Sequence, residues 1–140
     1  MKIRPYLTFD GQCNEAIELY KRAFNTDTLE CMLFGQMPPI PGFEVPEEYK
    51  VRVLQATMKF GDDFIRLSDC GYAPGFKLNE QESERISLAV ETGVDEIKHA
   101  FNILSEEGHV GIPLEETFYS PCAGVVFDKF GVMWNLVANK

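Results

Sequence analysis

The sequence predicts an α+β fold made of two tandem βαβββ modules. Three observations carry that expectation. The stretch "LQATMKFGDDFIRLSDCG" and the terminal "VVFDKFGVMWNLVANK" both read as an apolar run, a short Lys/Phe/Gly/Asp turn and a second apolar run. Two amphipathic helical segments, "EAIELYKRAF" and "DEIKHAFNIL", align with each other, Ile17 with Ile97 and Phe24 with Leu104. Each helix also interrupts the strands at the same place in its half of the chain, which a sandwich of strands alone would not do.

The first module covers about residues 1–70. "KIRPYLTF" reads as a strand, with Pro5 near its start where a missing N–H is tolerated. Asp10-Gly11 marks a turn, and Ala16, Ile17, Leu19, Tyr20, Ala23 and Phe24 then follow helical spacing, acids early and bases late, which suits the helix dipole. "TLECMLF" is a strand, and "GQMPPIPGFEVPEEYK" a Pro/Gly-rich loop long enough for a lid or a plain surface connection. "VRVLQATMKF" and "FIRLSDC" form a hairpin about Gly61-Asp62-Asp63. A polar connector fills about 71–84.

The second module, about 85–140, repeats the order. "RISLAVET" is a strand, and "GVDEIKHAFNILSEEG" a helix with Gly108 as its expected left-handed terminator. "VGIPLEETFY" is extended and "AGVVFDKFGVMWNLVA" is the second hairpin. Aligning "FIRLS" on "MWNLV" is one residue out from matching Gly61 with Gly131, so the shared Phe-Gly need not be structural. The 140 residues are expected to act as a single domain of two halves, large enough to bury roughly two-thirds of the unfolded surface.

Composition narrows the function classes. With 22 Asp and Glu against 13 Lys and Arg, the net charge is -9, and no basic stripe offsets it. Nucleic acids and anionic membranes are therefore not expected partners. No segment reaches the ~20 apolar residues of a membrane span, and "MKIRPYLTFDG" has no secretory character. Cys13, Cys31, Cys70 and Cys122 show neither a CxxC pair nor zinc spacing, which fits reduced thiols in the cytoplasm. GxGxxG and GxxxxGK[ST] are both missing, so no dinucleotide or P-loop site is indicated.

Three stretches, "PYLTFDGQCNEAIELYKRAF", "LQATMKFGDDFIRLSD" and "ETFYSPCAGVVFDKFGVMWNL", together resemble the vicinal oxygen chelate superfamily of glyoxalases, bleomycin-resistance proteins and extradiol dioxygenases. Within it the chain is similar to the PhnB-like branch. The resemblance implies a curled, cup-shaped mixed sheet with helices outside, and a homodimer. In metal-dependent members two ligands from each module point into the cup. Placed on this chain, those positions fall at Pro5, Arg66, Arg85 and Asn135, none of them the usual His or Glu. Proline offers no donor and arginine stays cationic. The branch's His-Ala-Glu stretch reads Gln55-Ala56-Thr57 here. The branch is sometimes labelled as methyltransferases, which would normally carry a glycine-rich loop after a strand of a doubly wound sheet.

Alternation along strands gives the faces. Ile65, Leu67, Trp134 and Leu136 should enter the core, leaving Phe64, Arg66, Ser68, Met133, Asn135 and Val137 on the other side. The expectation is a pocket with Gln55, Thr57, Arg66, Arg85 and Asn135 as polar contacts and Phe64, Phe118, Tyr119 and Met133 as an apolar wall. No metal or organic cofactor is expected there. Arg66 and Arg85 would meet a carboxylate or phosphate-like ligand, unless they pair with the chain's own acids. His99, mid-helix, reads as a surface or half-buried helix residue, and His109, after Gly108, as solvated near the helix end. Ser68-Asp69-Cys70 reads as strand-end hydrogen bonding rather than a nucleophile, and Cys122 as a small apolar filler. Three functional readings stand: a metal-free cup binding a small organic molecule; a lyase, isomerase or dioxygenase with an unusual metal set drawn from Gln55, Asp69 or His109; and a structural dimer without a ligand.

Overall fold

The computed structural model describes residues 2–38, 41–42, 44–70 and 86–140. The expected connector and Arg85 lie outside these residues. Two helices and eight strands alternate as expected: β1 (Tyr6–Phe9), α1 (Cys13–Phe24), β2 (Thr28–Leu33), β3 (Val53–Phe60), β4 (Asp63–Asp69), then β5 (Leu88–Thr92), α2 (Val94–Ser105), β6 (His109–Glu115), β7 (Ala123–Phe127) and β8 (Met133–Ala138). They form two four-stranded mixed sheets, ordered β1-β4-β3-β2 and β5-β8-β7-β6. In each, the first strand runs parallel to the last while the remaining pairs are antiparallel. The described strands close no barrel. The described residues group into two compact units, one per module, except that Arg22–Asn25 at the end of α1 group with the second.

In the first unit, α1 buries Cys13, Ala16, Ile17 and Tyr20, a three- and four-residue spacing that makes one apolar stripe. The helix starts at a carboxylate supplied from far along the chain. Asp69 Oδ1 accepts from the Cys13 N–H at 3.0 Å and Oδ2 accepts from the Val53 N–H at 2.9 Å. One buried side chain thereby fixes the start of α1 and the start of β3. The helix ends where Asn25 turns left-handed at φ 49, and the Thr26 N–H reaches back to the Lys21 carbonyl; asparagine tolerates that conformation.

In the second unit, Ile97, Ala100, Phe101 and Leu104 of α2 are buried, and the helix packs on β7 and β8. Trp134 is buried under an aromatic neighbour, its ring 4.9 Å from that of Phe24. Its Nε1–H donates to Asp128 Oδ2 at 2.9 Å. Asp128 Oδ1 also accepts from the Phe130 and Val132 N–H groups, so this residue organises the β7–β8 turn and orients the indole at once.

Two expectations change. Gly108 is not among the described glycines with positive φ, which are Gly11, Gly42, Gly61 and Gly131. Close approach is what requires it: an added Cβ would lie 2.0 Å from the Phe127 carbonyl oxygen and 2.7 Å from that of Leu104. The two hairpins are not copies at their turns. Phe60 pairs with Asp63 across two residues, with Gly61 at φ 61, whereas Phe127 pairs with Met133 across five. The shared Phe-Gly is therefore coincidental, and the strand alignment stands without it.

Candidate functional site

The first sheet has one apolar face and one polar face. Phe9, Ala56, Met58, Ile65 and Leu67 are buried on one side, the side from which Asp69 reaches the start of α1. Alternation sends Arg4, Tyr6 and Thr8, Phe64 and Arg66, and Gln55, Thr57 and Lys59 to the other side. Register lines them up: Tyr6 pairs with Arg66, Arg66 with Thr57, and Thr57 with Glu30, a row crossing all four strands. A register shift between Thr28 and Glu30 breaks the alternation of β2, and both Leu29 and Glu30 reach the same cavity.

That cavity measures about 270 Å³ and is lined by Arg4, Leu29, Glu30, Thr57, Phe64 and Arg66. The Arg4 guanidinium lies 4.6 Å above the Phe64 ring centroid, a cation–π contact that fixes both. Thr57 Oγ1 and Gln55 Nε2 both donate to Glu30 Oε1, at 3.1 and 3.3 Å, which holds the carboxylate against β3. Arg66 makes no ion pair within 4.0 Å among the described residues, and neither does Arg4. Its pairing with a neighbouring acid, the alternative open from sequence, does not occur there. Two guanidiniums thus face one carboxylate in an otherwise acidic protein, and a guanidinium is built to take a carboxylate or phosphate in two parallel hydrogen bonds.

Of the expected pocket residues, Gln55, Thr57, Phe64 and Arg66 share this face. Met133 and Asn135 are half-buried on the opposite side of β8 from Trp134, as alternation predicted. The cross-strand neighbours of Asn135 are Ala89 and Val125, so its surroundings are mostly apolar. Phe118 and Tyr119 follow β6; they stack edge to face at 5.1 Å, with Phe118 95% exposed. These four belong to the second compact unit. Pattern reading missed Arg4, Leu29 and Glu30. The signal for Arg4 was its place two residues before Tyr6, and for Glu30 its being the one charge in "TLECMLF".

Among the described residues, the metal positions that the resemblance implies carry side chains unsuited to a divalent ion. Pro5 has no side-chain donor, and its place next to Tyr6 puts it on the face opposite Arg66, where the ligand assignment had paired them; its carbonyl accepts the Arg66 N–H at 3.0 Å. Arg66 is cationic, and Asn135 brings one amide. Register sets Ala89 opposite Asn135 as Tyr6 is opposite Arg66. Among the described residues no three His, Cys, Asp or Glu side chains cluster. Asp69, considered for an unusual ligand set, is 3% exposed on the core side and already accepts two backbone N–H groups. His109 opens β6 and stacks on Phe127, ring centroids 4.7 Å apart. His99 is exposed and its Nε2–H donates to the Arg22 carbonyl at 2.9 Å.

The cysteines are unpaired: Cys13 and Cys122 buried, Cys70 half-buried, Cys31 exposed. Burial pushes the Cys13 thiol well above its ordinary value. Burial, then the Asp10 carboxylate to which its Sγ donates at 3.2 Å, pushes Cys70 up as well. Neither is a ready nucleophile. Arg52 donates to Asp10 at 2.9 Å and lies 4.3 Å over the Tyr49 ring, tying down the end of the Pro-rich loop. The loop's base continues the β2–β3 ladder through Phe34 N–H to Arg52 O and Gly35 N–H to Lys50 O, at the end of the sheet remote from Phe64.

The protein family described as 3-demethylubiquinone-9 3-methyltransferase matches residues 1–137. The chain belongs to this family. Protein YjdN of Escherichia coli K12 is 29% identical over 144 residues, covering 96% of this chain and 92% of that protein. The solved structure of PA1353 from Pseudomonas aeruginosa has a TM-score of 0.82 at 27% identity, over 99% of this chain and 98% of that one. A PhnB protein from Bacillus cereus has a TM-score of 0.74 at 22% identity, over 99% and 100%. The fold extends to glyoxalase and bleomycin-resistance proteins. It includes the fosfomycin-resistance protein FosX of Listeria monocytogenes, solved with Mn(II) and a dihydroxypropylphosphonic acid (TM-score 0.63, 11% identity, 100% of this chain and 93% of that one). The family resemblance and the paired βαβββ modules are thereby shown.

Proposed function

We propose that this family member binds a small organic anion on the polar face of its first sheet, without a metal, and that Arg66 is the anchor. The observation that carries the reading is an arginine with no ion pair among the described residues, in a lined cavity of about 270 Å³. Phe64 and Leu29 supply apolar wall, Thr57 a hydroxyl and Arg4 a second cation. The methyl transfer in the family's description has no support in the geometry: two mixed antiparallel-rich sheets differ from the doubly wound parallel sheet in which a glycine-rich loop cradles such a cofactor. Dimerisation belongs to the same reading, since the edge strands β2 and β6 expose Met32, Val110 and Ile112. Residence in the cytoplasm agrees with four unpaired thiols.

The test is a calorimetric and NMR titration with hexanoate and benzoate. Eight heavy atoms at roughly 0.5 kcal/mol each give hexanoate a dissociation constant near millimolar. Arg66→Met should remove that binding, since charge-assisted hydrogen bonds contribute about 1.5–3 kcal/mol. Binding that persists in Arg66→Met, or that appears only after a divalent cation is added, defeats the proposal and favours a metal-dependent enzyme.

A further inference from the structure

Arg66 has a counterpart across the same cavity. Glu30 lines it from β2, two strands away from Arg66 in the same cross-strand row. The two opposite charges do not meet, since no ion pair joins them within 4.0 Å. Strands stand roughly 4.8 Å apart, so the two Cα atoms are separated by about 10 Å, with Thr57 between them in the row. Glu30 is also not free to swing. Thr57 and Gln55 both donate to its Oε1, and no donor to Oε2 is found among the described residues. Two neutral donors spent on orienting a surface carboxylate, with a cation in the same cavity that forms no ion pair with it, make a site with two poles. Phe64 and Leu29 add apolar lining to the same cavity.

We infer that the ligand is a small zwitterion, its anionic end on Arg66 and its ammonium or amidinium end on Glu30, with a short hydrocarbon link against Phe64 and Leu29. The inference rests on the anion site proposed above and adds the second recognition element. A plain carboxylate would satisfy Arg66 but leave its alkyl end beside Glu30. An ω-amino acid satisfies both poles at once, which also discriminates against simple anions that meet the arginine alone.

The experiment is a titration, at low ionic strength, of ω-amino acids of three to six carbons beside the alkanoates of the same length. The series covers the span between the poles without assuming it. At least one ω-amino acid should bind roughly 5-fold or more tightly than its alkanoate, the yield expected of one charge-assisted hydrogen bond at a solvent-accessible site. In Glu30→Gln that preference should vanish while alkanoate binding is kept or strengthened, because a negative charge has left the neighbourhood of the carboxylate. In Arg66→Met neither ligand should bind. If alkanoates bind and no ω-amino acid gains over them, or if the preference survives Glu30→Gln, the zwitterion is wrong and the anion site stands. If neither class binds the native protein, the anion site itself has failed and the zwitterion falls with it.

Discussion

Removing the Asp69 carboxylate tests the architecture at one atom pair. The side chain is 3% exposed and accepts from two backbone N–H groups, Cys13 at 3.0 Å and Val53 at 2.9 Å. Those donors begin α1 and β3, elements 40 residues apart that nothing local aligns. Asp69→Asn keeps the volume but turns one acceptor into an NH2 group facing an N–H. One hydrogen bond is lost and a donor is left buried, a cost of about 1.5–3 kcal/mol. Asp69→Ala strands both donors and opens a small void, roughly 3–5 kcal/mol. Against a total stability of about 5–15 kcal/mol, the alanine variant should be marginal. Urea unfolding followed by Trp134 fluorescence and by far-ultraviolet circular dichroism measures this. The midpoints should fall in the order native, Asn, Ala, with the slope unchanged. A cost below about 1 kcal/mol for Asp69→Ala would show that these N–H groups find other partners, and the account of how α1 is fixed would be refuted.

Further outcomes follow from the same contacts. Gly108→Ala should destabilise by about 3 kcal/mol or more, because the clash is with backbone that cannot yield; a thermal midpoint within 2 °C of native would contradict it (~3 °C per kcal/mol at this size). Trp134→Phe should cost about 2–4 kcal/mol through lost volume and the loss of the indole N–H hydrogen bond to Asp128 Oδ2, read by calorimetry. The Arg52 guanidinium, by hydrogen bonding, holds the Asp10 carboxyl below its ordinary value of 3.8. That stabilisation is present above the ordinary value and fades as pH falls through the lowered one. Asp10 is largely exposed, so the effect is a few tenths of a kcal/mol to about 1; Asp10→Asn should be less stable than native at pH 7, with the gap narrowing toward pH 2–3 in paired urea titrations.

Much of the fold was legible because the two modules repeat a pattern whose periods are physical. Helical spacing of Ile17, Tyr20, Ile97 and Leu104 and strand alternation around Ile65-Leu67 and Trp134-Leu136 each predict a buried face, and those faces are buried. What escaped was set by contacts distant in sequence. Nothing in "FDGQCNEA" announces that its helix is capped by Asp69, and Gly108 looked like a helix terminator because glycine serves both turns and close approaches. The same holds for the site. Alternation put Thr57, Phe64 and Arg66 on one face, but Glu30 joins them through a register irregularity in β2, which has no signature in six apolar-rich residues. Arg4 was obscured by the placement of Pro5 on the site face, which parallel pairing of Tyr6 with Arg66 corrects.

The most direct measurement is a heteronuclear NMR titration of chelator-treated protein with hexanoate, following backbone amides and the arginine Nε–H signals. The account predicts saturable shifts centred on Thr57, Phe64 and Arg66, unchanged when a divalent metal is added and abolished in Arg66→Met. Shifts that require the metal, or that fall on Asn135 and its neighbours while Arg66 stays silent, would contradict it.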